Sequence, residues 1–213
     1  MTQQRTAHVL VQRYGQTYAS EAGITLRDKP SPLYRLLVLS LLLSARISAD
    51  IAVRAARALS AAGMRTAPAM AEATWQQRVD ALGDGGYRRY DERTSTMLGE
   101  GAELLLQQYR GDLRTLRDEA RSTEEIRHGL QQFPGIGPTG ASIFCREVQG
   151  IWPQVAPYLD TKTLDGAGRL GLPTSPDRLA RLVDTEDLPR LAAACVRAAL
   201  STDVVDDVRA HTA

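Results

Sequence analysis

The sequence predicts an all-α protein, and three features carry that expectation. Ala, Leu and Arg dominate, aromatic residues make up 5% of the chain and β-branched runs are scarce, a mix that favours helices. Apolar residues recur at helical spacing through most of the chain, and Ser, Thr or Asp stands before several of these runs where a helix cap belongs. No segment reads as a convincing strand.

Taken in order, residues 2–20 read as a first helix, with Val9, Leu10, Tyr14 and Tyr18 near one face. Gly23–Ser31 is a linker rich in turn formers. Pro32 opens an apolar helix to about Ala45, whose nearly all-round hydrophobicity places it centrally in a core. Ser48 caps the next helix, which carries Ile51, Val53, Ala56 and Leu59 and stops at Gly63. Thr66 with Pro68 begins a short helix, and Thr74 begins another that ends at Gly83-Asp84-Gly85-Gly86. A long helix is expected from about Tyr90 to Tyr109, then a short one over Asp112–Ala120. Ser122 and Glu125 match a capping box for a helix to about Gln132, stopped by Pro134. Thr139–Val148 reads as helix, whereas Pro153 and Pro157 exclude regular helix over 150–159. Asp160 caps the next helix, Ser175-Pro176 starts another, and Glu186–Leu200 is the last expected. There is no repeat and no low-complexity segment.

The chain has 213 residues, enough for one large domain or two small intimate ones. Its net charge of +1 gives no global basic field, so any nucleic-acid contact must come from local charge and backbone donors. The basic residues are almost all Arg; Lys29 and Lys162 are the two lysines. Cys145 and Cys195 lie far apart, which gives no disulfide framework and no four-thiolate site and fits a reducing cytosol. The N-terminus lacks the apolar core of a signal peptide. The most apolar run, Leu36–Leu43, is far shorter than the ~20 residues that span a bilayer. The expectation is a cytoplasmic, nucleoid-associated monomer with no membrane partner.

The segment Phe133-Pro134-Gly135-Ile136-Gly137-Pro138 between two helices points to a function. Pro134 ends the first helix, and the glycines allow a tight turn. Ile136 between them can anchor the turn in the core. Without side chains on Gly135 and Gly137, a phosphate can approach the amides beside the next helix N-terminus, where orphan N–H groups and the helix dipole favour an anion. Thr139 can add a hydroxyl, and Gly140 and Ala141 let two helices pack closely. This is phosphate binding without lysine, and it suits the backbone of duplex DNA. The competing reading is a plain helix-turn-helix corner.

Three segments together resemble the endonuclease III branch of the helix-hairpin-helix DNA glycosylase superfamily. Leu41-Leu42-Leu43-Ser44-Ala45-Arg46 resembles the L-L-S-A-Q end of the family's core helix. Phe133 to Ala141 resembles its L-P-G-V-G-R-K-T-A hairpin, and Leu159-Asp160-Thr161 with Arg169-Leu170-Gly171-Leu172 resembles its V-D-T-H and R-L-G-L segments. The resemblance implies two helical domains with an active cleft between them. One is a six-helix barrel over about 24–152, containing the helix-hairpin-helix at about 122–148. The other joins 1–23 to 153–213 and carries Asp160. It further implies double-stranded DNA with a damaged or mismatched base as partner, a base flipped into the cleft, Asp160 as the essential carboxylate, and a monovalent cation at the hairpin carbonyls. DNA contacts fall on Pro134, Gly135, Ile136, Gly137, Thr139, Gly140 and Lys162.

The chain also departs from that family. The lysine that forms a Schiff base in bifunctional members falls on Thr139, which cannot form an imine, so strand cleavage is not expected. Lys162 would sit about 200° around the helix from Asp160, better placed for a phosphate than for a nucleophile's role. No cysteine quartet follows Asp160, so no iron–sulfur cluster is expected. Asp165, Gly166 and Gly168 replace larger residues, so either another backbone packs closely there or the helix is irregular. Arg46 stands where relatives often hold Gln.

Asp160 can stabilise the oxocarbenium-like state of N-glycosidic cleavage and orient a water; it can equally be a simple helix cap. Arg46, Tyr87, Arg88 and Tyr158 are candidates for a base pocket or wedge, against packing or surface roles. Trp75 and Trp152 read as core, and His8, His128 and His211 form no ligand set. The expected activity is monofunctional base excision, with a catalytically silent lesion- or structure-sensing DNA binder as the alternative.

Overall fold

A computed structural model describes residues 2–212. The all-α expectation holds: among the described residues the elements are α-helices and one 3-10 turn, with no strand. Among the described residues no helix is long and apolar enough to cross a membrane. The chain divides into two compact units, Ala19–Phe144 and Met1–Tyr18 with Cys145–Ala213.

The first unit is built around α3 (Pro30–Ser44), where nine of fifteen residues are buried. α4 (Ala49–Ala61) packs on it, and α5 (Ala67–Glu72), α6 (Trp75–Asp84) and α7 (Asp91–Tyr109) complete the layer, α7 lying against both α5 and α6. The hydroxyls of Ser48, Thr66 and Thr74 accept amides at the starts of α4, α5 and α6, and Thr74 with Gln77 makes a full capping box. Gly85 ends α6 where a Cβ would lie 2.4 Å from the Ala55 Cα, so the turn presses directly on the α4 backbone. Gly99 makes similar room for Arg78, a buried guanidinium that donates to the Met70 and Ala73 carbonyls. α8 (Leu113–Glu119) and α9 (Thr123–Leu130) lead to the hairpin. Ser122 caps α9 as expected, but Glu125 reaches back to the Arg121 amide, one residue before the box position.

The second unit centres on α13 (Leu188–Leu200), which packs against α1 (Gln3–Tyr14), α11 (Thr161–Arg169) and α14 (Thr202–Ala210). Leu10, Leu159, Leu179, Leu191, Cys195 and Val208 share its core. Gly166 of α11 has a clear cause. A Cβ on Gly166 would stand 1.8 Å from the Cys195 carbonyl oxygen, so α11 and α13 touch backbone to backbone. The segment is regular helix, and close packing, rather than irregularity, explains Gly166.

Three sequence expectations are corrected. Residues 2–20 form two helices, because the chain turns at Gly15 before α2 (Tyr18–Glu21). Glu186–Leu200 is not the last helix: Ser201 caps α14, whose Val205 and Val208 are buried. Trp75 is 41% exposed at the start of α6, its Nε1 donating to Thr96, whereas Trp152 is fully buried as expected.

Candidate functional site

The hairpin lies in the first unit, between α9 and α10 (Pro138–Val148). Phe133 and Ile136 are 2% and 3% exposed and fix it to the core, Phe133 stacking on Tyr109 at 6.1 Å between ring centroids. The Ile136 amide donates to the Phe133 carbonyl and closes the turn. That bond removes Ile136 from the expected phosphate contacts; its part is the anchor. Gly140 is also buried, against Ile136 and the Ser40 carbonyl, and serves helix packing. Gly135, Gly137 and Thr139 face outward. Their amides donate to no acceptor among the described residues.

The two exposed glycines have different reasons to be glycine. Gly135 has φ +83°, a left-handed conformation that disfavours side chains, and its Cβ would meet the Met97 sulfur at 2.8 Å. Gly137 has no such φ, and a Cβ there would meet nothing within 4 Å. The fold therefore tolerates a side chain at Gly137. What the glycine leaves open is approach from outside.

Beside the hairpin, the end of α3, the start of α7 and Gly135 line an open cavity of about 270 Å³. It brings together Arg46 and Tyr87, both proposed from the sequence as pocket residues, with Tyr90, Arg93 and Met97. Sequence reasoning missed Arg93 and Met97, which reach the cavity from the first and second turns of α7. Tyr87 is 2% exposed and its phenol oxygen accepts from Thr94, so it is a wall and cannot wedge into a duplex. Arg88 is exposed and does not line the cavity. Arg89 lies over the Tyr90 ring at 5.3 Å, a cation–π contact.

Asp160 lies in the second unit as the N-cap of α11. Its Oδ1 accepts from the Thr163 amide at 3.1 Å and hydroxyl at 2.9 Å, and its Oδ2 stands 3.5 Å from Arg146 Nε. The carboxylate is 18% exposed and Arg146 is 12% exposed. The approach to Asp160 is held by Gln149, itself 1% exposed: its amide oxygen accepts the Tyr158 N–H, and its amide nitrogen donates to the Tyr158 and Arg146 carbonyls. Arg146 and Gln149 lie at and just past the end of α10. A long side chain that would go to solvent on an isolated helix gives no sequence signal of this role. Tyr158 is half-buried and Lys162 exposed.

Two buried cysteines cannot supply the four thiolates of an iron–sulfur cluster, and burial pushes the Cys195 thiol up to about 12. Among the described residues, no group of three His, Cys, Asp or Glu could hold a metal ion.

No family model and no curated protein matches the sequence. Solved structures do match the fold. A non-covalent endonuclease III–DNA complex is 17% identical, with 92% of this chain and 85% of that chain covered and a TM-score of 0.51. A trapped endonuclease III–DNA covalent intermediate, an estranged-adenine complex, is 16% identical over the same shares with a TM-score of 0.49. At these identities the likeness is one of fold, and the fold expected from the three sequence segments is the fold observed.

Proposed function

We propose that the chain is a monofunctional DNA glycosylase: it binds double-stranded DNA through the hairpin, flips a damaged or mismatched base, and hydrolyses its N-glycosidic bond with Asp160. The observation that carries this reading is the outward face of the hairpin. Amides at Gly135, Gly137 and Thr139 have no acceptor among the described residues, and Gly137 is a glycine that the fold does not require. Unsatisfied donors at the start of an eleven-residue helix suit a phosphate. The endonuclease III fold, seen in complexes with DNA, supports the same reading.

The chemistry rests on the carboxylate. Leaving-base departure builds positive charge on the sugar, and Asp160 supplies negative charge at a fixed position. Thr163 holds Oδ1, so Oδ2 is the oxygen that would face the sugar, in competition with Arg146. Thr139 stands where bifunctional relatives carry the imine-forming lysine, which leaves water as nucleophile and an abasic site as product. Lys162, exposed on the first turn of α11, would contact phosphate. The Phe133 and Gly137 carbonyls each accept one amide and keep a second lone pair, which a monovalent cation would use.

A second reading has its own observation. Both Asp160 oxygens already have partners, as in a purely structural cap. A catalytically silent DNA binder would look the same. The separating experiment incubates the protein with duplexes carrying a panel of damaged and mismatched bases, then treats them with alkali. Breaks that appear only after alkali, and vanish in Asp160→Asn while DNA affinity stays, support base excision. Affinity without breaks supports the binder.

A further inference from the structure

Two arginines of the first unit stand together without a carboxylate. Arg35, near the start of α3, donates from Nε to Ser60 Oγ at 3.1 Å and from Nη2 to the Gly23 carbonyl at 3.1 Å. Arg65, in the turn after α4, donates from Nε to the Ser60 carbonyl at 2.8 Å. Both guanidiniums are therefore tied to one residue, Ser60, which is buried in the last turn of α4. Ser31 Oγ donates to the Arg65 carbonyl at 2.9 Å and fixes the turn from α3. Neither arginine has an ion pair with a described residue. Other arginines of the chain do: Arg13 pairs with Asp207, Arg114 with Asp112 and Arg117 with Asp28. Burial first, and then the charge of Arg65, hold the Arg35 guanidinium below its ordinary value, with no carboxylate among the described residues to offset them. Arginine stays charged all the same, so two like charges stand close together. A guanidinium has five N–H donors, and the bonds to Ser60 and Gly23 use the smaller part of them. What remains is chiefly the Nη fork, whose geometry matches two oxygens of one tetrahedral anion. Arg65 is exposed and Arg35 half-buried, so the pair is reachable from solvent.

We infer that Arg35 and Arg65 bind a dianionic phosphate, both guanidiniums meeting one phosphoryl group. The charge selects the ligand. A phosphate monoester carries about 1.5–2 negative charges near neutral pH, whereas each phosphodiester of a nucleic-acid backbone carries one. The neutral acceptors on Ser60 and Gly23 hold the two Nε groups and one Nη without cancelling any charge, which leaves the pair oriented and still in need of an anion. A cap on the end of α4 would require one arginine at most, and that role accounts for Arg65 Nε alone. The site is distinct from the hairpin and its cavity: Arg35 lies roughly 13 Å along α3 from Ser44, which lines that cavity at the other end of the helix. The inference goes beyond the DNA-binding reading and does not depend on it. A free phosphate monoester and the terminal phosphate of a nucleic-acid strand both present the group.

The test titrates the full chain, labelled with nitrogen-15, with inorganic phosphate, methyl phosphate and dimethyl phosphate at constant ionic strength, and follows the arginine Nε–H and backbone amide signals. The expected result is saturable shifts of the Arg35 and Arg65 Nε signals with a Kd on the order of 1 mM for the first two. Dimethyl phosphate, a monoanion, is expected to bind at least about tenfold more weakly. Methyl phosphate should also weaken as pH falls below its second pKa of about 6. Arg65→Gln is expected to abolish saturation at the Arg35 signal while the melting temperature without phosphate changes little. Arg65→Lys keeps the charge at the end of α4 but loses the fork, and should weaken phosphate about tenfold. Shifts that never saturate overturn the inference, as does saturation that survives Arg65→Gln or equal affinity for dimethyl phosphate. Saturation confined to the Gly137 and Thr139 amides overturns it too, and leaves the DNA-binding reading standing. A short thymidine oligonucleotide with and without a 5′ phosphate separates the two sources. Binding tighter than methyl phosphate, and only with the 5′ phosphate, supports the inference with a strand end as ligand; binding no tighter supports it with a free monoester.

Discussion

Arg146 Nε stands 3.5 Å from Asp160 Oδ2, and both side chains are mostly shielded from solvent. The sequence places these residues fourteen apart and gives no hint of the pairing. It means that the carboxylate proposed for catalysis is held from two sides, by Thr163 within its own helix and by Arg146 from α10. Residues in one ion-pair network couple by about 0.5–3 kcal/mol. A double-mutant cycle of Arg146→Gln and Asp160→Asn, followed by urea unfolding, is expected to give about 1 kcal/mol of coupling. A value near zero would mean that the pair does not hold Asp160.

Gly135 and Gly137 are expected to part company on substitution. Gly135→Ala meets a left-handed φ and the Met97 sulfur, and should cost about 1–2 kcal/mol or more of stability. Gly137→Ala meets open space and should leave stability unchanged or slightly raised. The methyl would stand in the phosphate approach, and loss of one charge-assisted hydrogen bond of about 1.5–3 kcal/mol weakens DNA binding roughly ten- to a hundredfold. Thermal melts and a duplex titration on the same two proteins check both statements.

Gln149 is the residue whose loss should unseat the approach to Asp160. Gln149→Leu keeps the volume and leaves the Tyr158 N–H and carbonyl without their partner. At about 1–3 kcal/mol for each of the two groups, the expected loss is roughly 2–6 kcal/mol in urea unfolding. Gln149→Glu keeps the acceptor for the Tyr158 amide and should lose less.

Gly166→Ala should be among the most damaging single substitutions in the chain. Its Cβ would stand 1.8 Å from a carbonyl oxygen of α13, a backbone atom that cannot rotate away. Overpacking commonly costs about 1–3 kcal/mol, and a backbone clash belongs at or beyond the upper end. A loss of ~3 kcal/mol corresponds to about 6–12 °C in Tm at this chain length. Gly171→Ala, with open space but φ +70°, is expected to cost less.

The clamp between α1 and α14 gives an acid-dependent term. Arg13 donates to both Asp207 oxygens, at 2.6 and 2.8 Å, and Tyr14 donates to Oδ2 at 2.8 Å. These bonds hold the Asp207 carboxyl below the usual carboxylate range. A depressed folded-state pKa stabilises the protein above the unfolded-state value of about 3.9, and the benefit is lost as pH falls through the folded value. Urea midpoints should therefore drop more steeply below about pH 4 in the parent than in Asp207→Asn, and the two curves should converge in acid.

The sequence by itself determined the helical class, most helix starts and the hairpin. These depend on local chemistry: a hydroxyl or carboxylate that caps a helix, a proline that stops one, a glycine that allows a turn. Ser48, Thr66, Thr74, Ser122 and Asp160 are all caps, at the positions their neighbours dictate. α14 escaped because a nine-residue polar helix shows its buried valines only once a partner covers them. Only the tertiary structure decided that Gly166 answers to a carbonyl of α13, that Gln149 clamps the Tyr158 peptide, and that Arg46, Tyr87 and Arg93 share a cavity with the hairpin. Those relationships join residues far apart in sequence, and their energy comes from excluded volume and from hydrogen bonds that must be satisfied once water is gone. Neither leaves a periodic mark along the chain.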